Sequence, residues 1–252
     1  MSAERALSRV RVVLVATSHP GNIGAAARAM KTMGMERLVL VRPRGFPCAE
    51  ASARAAGADD LLYSAALCNS LAEAVAECTW VVGTTARARH LGWKSLDPRT
   101  FATRAMSEAR RGEVALVFGR ERSGLSNAEL DLCHAKVSIP TAATFSSLNL
   151  AAAVQVLSYE LRRATLADEA PLEANSDAER PASVAELEGF YAHLRDTVTE
   201  IGYLDPDSPK LLMRRLRRLF NRVQPEHVEI NILRGILTAV QKKARRRDLN
   251  GS

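Results

Sequence analysis

The chain has 252 residues, of which 47% are apolar and 25% charged, and its 35 Lys and Arg against 28 Asp and Glu give a formal net charge of +7. This composition is typical of a soluble globular protein and excludes a disordered or fibrous one. The four cysteines are widely spaced, form no CxxC pair and follow no secretory segment, so we expect a reducing, cytoplasmic location and neither a disulfide framework nor a zinc site built from cysteines.

The first part of the chain alternates apolar strand patterns with helical patterns. The predicted strands are 10–16, 38–41, 80–83, 114–118 and 137–139, and the predicted helices are 24–33, 71–78, 127–133 and 148–164. Capping boxes at Ser70…Glu73 and Ser126…Glu129, and the pair Asp97-Pro98, support helix starts. Apolar strands that alternate with helices predict an α/β fold with a mainly parallel sheet that is covered on both faces.

Three segments rich in glycine and small or polar residues follow predicted strands. They are 17–28, 118–126 and 139–150, and a further loop at 83–90 adds two threonines and two arginines. A parallel sheet places such segments at its carboxyl edge, where ligands bind. The first segment lacks the GxGxxG dinucleotide fingerprint, the second lacks the GxSxG spacing of a serine hydrolase, and the chain has no Walker A motif.

Each segment also has an ordinary structural interpretation. Arg28 fits a solvated helix arginine, and Glu121 between two arginines fits a surface ion pair. Ser147 and Asn149 fit helix caps. From the residues alone, these alternatives remain open.

One stretch, 141–159, carries no charge and approaches the length of a membrane span. Seven polar side chains are scattered through it, which would be costly in hydrocarbon, so we predict a buried helix and no membrane partner. Ligand spacings typical of a metal site occur nowhere in the sequence, which predicts no metal.

Charge divides the chain into three parts. Residues 1–164 hold 21 basic and 14 acidic side chains. Residues 165–182 hold one basic and five acidic side chains, and residues 183–252 hold 13 basic and nine acidic ones. The acidic middle part has two prolines and no apolar periodicity, so it predicts an exposed linker between two domains.

The last part, 183–252, predicts a small helical domain. Ser183…Glu186 is a capping box, Ser208-Pro209 begins a second helix, and a third carries an apolar stripe from Ile230 to Val240. The second helix has six basic residues and no acidic one, namely Lys210, Arg214, Arg215, Arg217, Arg218 and Arg222. Such a run suits an RNA phosphate backbone, although a solvated helix face remains an alternative. Because aromatic residues make up only 5% of the chain, a folded RNA fits better than a stacked single strand.

Taken in order, the segments NIGAAARA at 22–29, FGRERSGLS at 118–126, and IP at 139–140 followed by SSLNL at 146–150 closely resemble the three motifs of the SpoU/TrmH group of SPOUT methyltransferases. The resemblance extends to the C-terminal helices, through RRLF at 217–220 and NILRGIL at 231–237. It therefore covers both predicted domains.

The resemblance implies transfer of a methyl group from S-adenosylmethionine to the ribose 2′-hydroxyl of nucleotide 32 in the tRNA anticodon loop. It implies a homodimer whose SPOUT-type domain forms the cofactor pocket with a C-terminal trefoil knot. The catalytic residues would be Arg28, Asn22, Glu121, Ser147 and Asn149. The cofactor pocket would be lined by Thr84, Thr85, Ala86, Gly119, Ile139, Ser146, Ser147 and Leu148.

The implied reaction poses a problem of proton removal. A ribose hydroxyl is a poor nucleophile until its proton leaves, whereas a sulfonium is already a good methyl donor. A guanidinium is an awkward base, so we expect Arg28 mainly to hold a phosphate and to stabilise the developing alkoxide, with true proton abstraction only after the RNA has docked. Two other functions remain open, a non-catalytic RNA-binding module and an NADP enzyme with Arg42 near the 2′-phosphate, although the missing fingerprint counts against the latter.

Overall fold

The computed structural model describes residues 2–85, 95–167, 180–207 and 210–250. The chain divides into two compact units, with the boundary between residues 174 and 175. Four predicted features lie outside the described residues: Ala86 of the cofactor pocket, the two arginines of the loop at 83–90 (Arg87 and Arg89), most of the acidic linker, and the helix start at Ser208-Pro209.

Within the described residues, the first unit is built on one parallel sheet. Its strands stand in the order β3-β2-β1-β6-β4-β7-β5, and every neighbouring pair is parallel. All six residues of the inner strand β1 are buried, and because side chains alternate between faces, both faces of the sheet are covered. The predicted α/β class is therefore confirmed. The strands are β1 (Val10–Val15), β2 (Arg37–Val41), β3 (Ala66–Cys68), β4 (Cys78–Thr84), β5 (Ser95–Leu96), β6 (Glu113–Phe118) and β7 (Ala135–Val137).

Helices connect these strands, and close packing of two of them depends on a glycine. A Cβ on Gly24 would lie 1.9 Å from the carbonyl oxygen of Ala51, so any larger residue would push the two helices apart. None of the described helices is both long enough and apolar enough to span a bilayer. The helices of this unit are α1 (Ala3–Leu7), α2 (Pro20–Thr32), α3 (Ala49–Ala55), α4 (Asp59–Tyr63), α5 (Leu71–Val75), α6 (Pro98–Arg111), α7 (Asn127–Asp131) and α8 (Leu150–Ala167).

Several predicted boundaries were wrong. The helix predicted at 71–78 ends at Val75, because Cys78 already begins β4, and the strand predicted at 137–139 lies at Ala135–Val137. Strands β3 and β5 were not predicted because they hold three and two residues, too few for a periodic pattern.

The last helix of the first unit differs from its prediction at both ends. It begins at Leu150 instead of 148, because the Asn149 Oδ1 atom accepts a hydrogen bond from the Ala151 N–H and so caps the helix. It continues to Ala167, which places the first three residues of the predicted linker in a helix.

The second unit contains the helices α9 (Val184–Glu200), α10 (Leu212–Val223) and α11 (His227–Asn250). The capping box predicted at Ser183 and Glu186 is present. The core includes Phe190 and Phe220, whose rings meet edge to face with centroids 4.8 Å apart. The Tyr191 hydroxyl donates a 2.7 Å hydrogen bond to Asn221 and so ties α9 to α10.

Candidate active site

The strand order brings the predicted motif loops together. Strands β1, β6, β4 and β7 are consecutive neighbours in the sheet, and the three motif segments and the Thr84-Thr85 loop follow their carboxyl ends. A cavity of about 330 Å³ opens among the loops after β4, β6 and β7. It is lined by every described member of the predicted cofactor set, namely Thr84, Thr85, Gly119, Ile139, Ser146, Ser147 and Leu148.

Buried apolar side chains that were not predicted to belong to the site also line the cavity. They include Phe118, Leu125, Val137 and Leu157. Their apolar pattern predicts a core position equally well, so no local signal distinguished them. A lining that combines apolar side chains with hydroxyl and backbone groups suits a ligand with one flat apolar part and one polar part.

The turn after β6 is held by a salt bridge and a tight backbone loop. Arg120 and Gly124 exchange backbone hydrogen bonds, and the Arg120 guanidinium pairs with both carboxylate oxygens of Glu129 at 2.9 and 3.0 Å. A Cβ on Gly119 would lie 2.2 Å from the carbonyl carbon of Gly124, so this position requires glycine. The turn therefore presents Glu121 from a rigid support.

Glu121 acts as a shared acceptor for the loop after β1. Its carboxylate accepts hydrogen bonds from the backbone N–H groups of Ser18 and His19 at 3.2 and 3.4 Å, from the Ser18 hydroxyl at 3.0 Å and from the Asn22 side chain at 3.2 Å. Partial burial raises the pKa of Glu121, but the backbone and side-chain hydrogen bonds outweigh burial, and the net shift is downward. Glu121 is therefore ionised at neutral pH.

The hydrogen-bond partners of Glu121 settle whether it forms a surface ion pair with its neighbouring arginines, a question that the sequence left open. Among the described residues, Glu121 forms no ion pair with either neighbouring arginine, and Arg120 is paired with Glu129 instead. The interpretation of Glu121 as part of a surface ion pair with its neighbours is therefore wrong.

A chain of hydrogen bonds links all three motifs. The Asn22 side chain donates to Glu121, and its Oδ1 atom accepts from the Asn149 Nδ2 atom at 3.0 Å. The Asn149 Oδ1 atom in turn accepts from the Ala151 N–H at the start of α8. Both amide groups are thus oriented by their partners, and the cap interpretation of Asn149 is correct alongside its contact with Asn22.

Arg28 and Ser147 lie outside this hydrogen-bonded chain. Arg28 is exposed on α2, six residues after Asn22, which places it about 9 Å further along the helix and about 120° around it. Within the described residues, its guanidinium forms no hydrogen bond or ion pair with the Asn22, Glu121 and Asn149 side chains. Ser147 is exposed and lines the cavity.

The basic helix of the second unit presents its residues unequally. Arg217 pairs with both carboxylate oxygens of Glu188, and its guanidinium lies 4.6 Å from the centre of the Tyr191 ring. Lys210, Arg215 and Arg222 are exposed, whereas Arg214 and Arg218 are half-buried. Arg217 therefore holds α10 against α9, and the exposed members are better placed to meet an external phosphate.

No group of three or more His, Cys, Asp or Glu side chains among the described residues is arranged to hold a metal ion. The polar groups that line or border the cavity are instead hydroxyls, amides, one oriented carboxylate, backbone atoms and the side chains of Arg120 and Arg122. This set can bind and orient an uncharged polar group.

Comparison with known proteins shows the same two-part organisation. The model of the SpoU rRNA Methylase family matches residues 9–159, and that of the tRNA methyltransferase TrmJ, C-terminal domain, matches residues 185–249. The tRNA (cytidine/uridine/adenosine-2'-O-)-methyltransferase TrmJ of Pseudomonas aeruginosa is 53% identical over 247 residues, which cover 95% of this chain and 96% of the relative.

Two solved structures are informative. The crystal structure of TrmJ from Z. mobilis has a TM-score of 0.80 at 35% identity and covers 92% of this chain and 98% of that one. The SpoU methyltransferase AviRb from Streptomyces viridochromogenes, in complex with the cofactor AdoMet, has a TM-score of 0.50 at 25% identity and covers 62% of this chain and 60% of that one.

Proposed function

Because the chain belongs to the SpoU methylase family, and over 95% of its length to the TrmJ tRNA 2′-O-methyltransferases, we propose that it transfers a methyl group from S-adenosylmethionine to the ribose 2′-hydroxyl of nucleotide 32 in the tRNA anticodon loop. The observation that carries this proposal is the cavity among the strand-end loops, beside which the Asn22, Glu121 and Asn149 side chains form one hydrogen-bonded chain.

The cavity fits the proposed cofactor by size and chemistry. A volume of about 330 Å³ lies within the range of small-molecule sites, and the apolar part of the lining suits an adenine ring. Backbone groups around Gly119 and Ile139 and the hydroxyls of Thr84, Ser146 and Ser147 would hold the polar parts. When bound there, the cofactor would supply an electrophilic methyl group on a sulfonium.

In this proposal the residues of the chain orient the ribose and stabilise its oxygen as the proton leaves. Glu121 acts through Asn22 and the loop after β1, because its carboxylate is occupied by hydrogen bonds from that loop. It is therefore a positioning residue and not the base that removes the proton. Ser147 and Arg28 have exposed side chains and are the groups we assign to contact with the RNA and its reacting oxygen.

We also propose that the active form is a homodimer in the cytoplasm. Arg28 lies on a different face of α2 from Asn22 and is exposed, so a second subunit can complete the site with its own Arg28. The same proposal includes a trefoil knot at the end of the first unit, an acidic linker between the two units, and tRNA binding by α10.

Methyl transfer to unmodified tRNA tests the function directly. Radiolabelled S-adenosylmethionine should label the tRNA, and mapping of the alkali-resistant linkage should place the methyl group on the ribose of nucleotide 32. Label at another ribose would contradict only the position. Binding of tRNA without any methyl transfer would favour a non-catalytic RNA-binding module instead.

A further inference from the structure

We propose that the loop from residue 42 to residue 47, here called the Arg42 loop, is a second RNA-binding surface, in which Arg42 and Arg44 bind phosphates of the anticodon arm close to the target nucleotide. The inference rests on the proposed function and deepens it, because it adds a substrate contact in the first unit to the one proposed for α10. It also gives a role to Arg42 other than recognition of an NADP phosphate.

Backbone contacts hold the Arg42 loop in place. The Arg42 N–H donates to the Cys68 carbonyl at 3.0 Å, and the Arg44 N–H donates to the Thr17 carbonyl at 3.0 Å. Phe46 is partly buried against the hydrophobic core. A loop tied at three points loses little further entropy when its side chains bind a partner.

Both arginine side chains of this loop are available for binding. Arg42 and Arg44 are exposed, and neither guanidinium forms a hydrogen bond or ion pair with the described part of the chain. Other arginines of the same unit, such as Arg11 and Arg120, are paired with carboxylates. A guanidinium without a carboxylate partner matches the geometry of a phosphate and can bind it through two parallel hydrogen bonds.

The backbone conformation of Arg42 gives an independent indication that its side chain is held for binding. Its φ of +46° lies in the left-handed region, where a long side chain costs about 1 kcal/mol and glycine or asparagine would be easier. No contact of the guanidinium within the described residues offsets this cost. Strain at an exposed residue beside an active site is typical of positions held for binding.

The position of the loop connects it to the proposed reaction. It follows β2, which is the neighbour of β1 and is separated from β6 by that one strand. Two strand spacings place the end of β2 roughly 10 Å from the end of β6, whose following loop lines the cavity. Through Thr17 the Arg42 loop contacts the same loop that Glu121 binds, and a Cβ on Gly45 would lie 3.4 Å from the Pro20 ring.

A third arginine extends the basic surface towards the cavity. Arg122 follows β6, has an exposed side chain and lines the cavity opening. The carboxyl edge of the sheet thus carries basic side chains after β2 and after β6. An RNA strand whose target ribose enters the cavity would place its flanking phosphates along this edge.

The test is the double variant Arg42→Ala/Arg44→Ala in the full-length protein, with Arg5→Ala/Arg9→Ala as the matched control. Arg5 lies in α1 and Arg9 directly precedes β1, so the control removes the same charge from the opposite edge of the same sheet. Equilibrium tRNA binding is measured between about 50 and 200 mM salt. Methyl transfer is measured at saturating and subsaturating tRNA, and S-adenosylhomocysteine binding by calorimetry.

We expect the Arg42/Arg44 variant to bind tRNA about tenfold or more weakly, and its log-log salt slope to fall by about 2, one for each lost phosphate contact. The KM for tRNA should rise, whereas kcat and the affinity for S-adenosylhomocysteine should stay unchanged. The control variant should match the wild type in all three. Phosphate ethylation interference should lose signals within a few nucleotides of the modified ribose in the Arg42/Arg44 variant only.

Unchanged tRNA affinity and salt slope would overturn the inference, as would loss of interference signals far from the modified ribose. An equal loss in the control would show a general charge effect and would also overturn it. Failure of the wild type to methylate tRNA would instead contradict the proposed function.

Discussion

At the scale of single residues, the carboxylate of Glu121 organises the candidate site. It joins the loop after β6 to the loop after β1, and through Asn22 to the start of α8. Its role therefore depends on accepting several hydrogen bonds at once. A glutamine, which has one acceptor oxygen and an N–H₂ group, cannot satisfy the same donors.

The variant Glu121→Gln tests this role. We expect kcat to fall by about 100-fold, because Asn22 and the loop around it lose their position, and the free energy of unfolding to fall by about 1 kcal/mol at neutral pH. The folded-state pKa of Glu121 is lowered, so its stabilisation is complete above the ordinary glutamate pKa of about 4.3 and is lost as the pH falls through the lower folded-state value.

Urea unfolding at neutral and acid pH separates this effect from general damage. The stability difference between wild type and Glu121→Gln should shrink as the pH falls below about 4. The variant Glu50→Gln, at an exposed carboxylate in α3, serves as the control. A stability difference that stays constant with pH would contradict an ionised Glu121 as the acceptor.

Arg28 raises a different question, because its side chain is free of the network that Glu121 organises. We expect single-turnover methyl transfer to fall about 100-fold in Arg28→Ala and to recover little in Arg28→Lys, since a lysine cannot offer two parallel N–H groups to a phosphate or alkoxide. Retention of most activity by Arg28→Lys with unchanged tRNA affinity would exclude a specific guanidinium role.

At the scale of elements, α10 has two different faces, one that packs on α9 and one that we propose binds tRNA. Arg217 and Asn221 face α9, where they contact Glu188 and Tyr191. Arg215 and Arg222 are exposed. The six basic residues are therefore not equivalent, although the sequence pattern groups them together.

The reversal Arg215→Glu/Arg222→Glu should weaken tRNA binding by about tenfold or more at moderate salt, while the melting temperature and S-adenosylhomocysteine affinity stay unchanged. Arg217→Ala should show the opposite profile, with a lower melting temperature from the loss of its carboxylate and ring contacts. Filter binding and calorimetry on both variants decide between these outcomes. If the reversal variant bound tRNA as tightly as the wild type at low salt, the assignment of Arg215 and Arg222 to tRNA binding would be contradicted.

At the scale of the whole molecule, the site is completed in our proposal by two copies of the chain. One subunit supplies the cavity and the Asn22, Glu121 and Asn149 side chains, and the other supplies Arg28. The physical basis is that Arg28 is exposed and makes no contact with that network among the described residues. Two-fold symmetry would then create two such sites.

Mixing of two inactive variants tests this arrangement. If Arg28→Ala and Asn149→Ala subunits are co-refolded in equal amounts, half of the dimers are mixed and each mixed dimer has one intact site, so activity should recover to about 25% of wild type. Mass measurement confirms that mixed dimers form. Formation of mixed dimers without recovered activity would place Arg28 in the same subunit as its site.

Local sequence patterns were sufficient for the main strands and for the strand-end loops. Runs such as Val10–Val15 are continuously apolar because both of their faces are buried, and this burial leaves a pattern that can be read along the chain. The short strand Ala66–Cys68 was missed because three partly exposed residues leave no such pattern. Ala86 lies outside the described residues, so its assignment stays a prediction.

What the sequence by itself determined is therefore the fold class, the order of the loops and, through the family resemblance, seven of the residues that line the candidate cavity. Only the tertiary structure decided that Glu121 binds the loop after β1 and not its neighbouring arginines, and that Arg217 faces inward. The physical reason is distance along the chain: Asn22 and Glu121 are 99 residues apart, and only strand order and register bring them within hydrogen-bonding distance. Periodicity reports which face of an element is buried, but it carries no information about which other element covers that face.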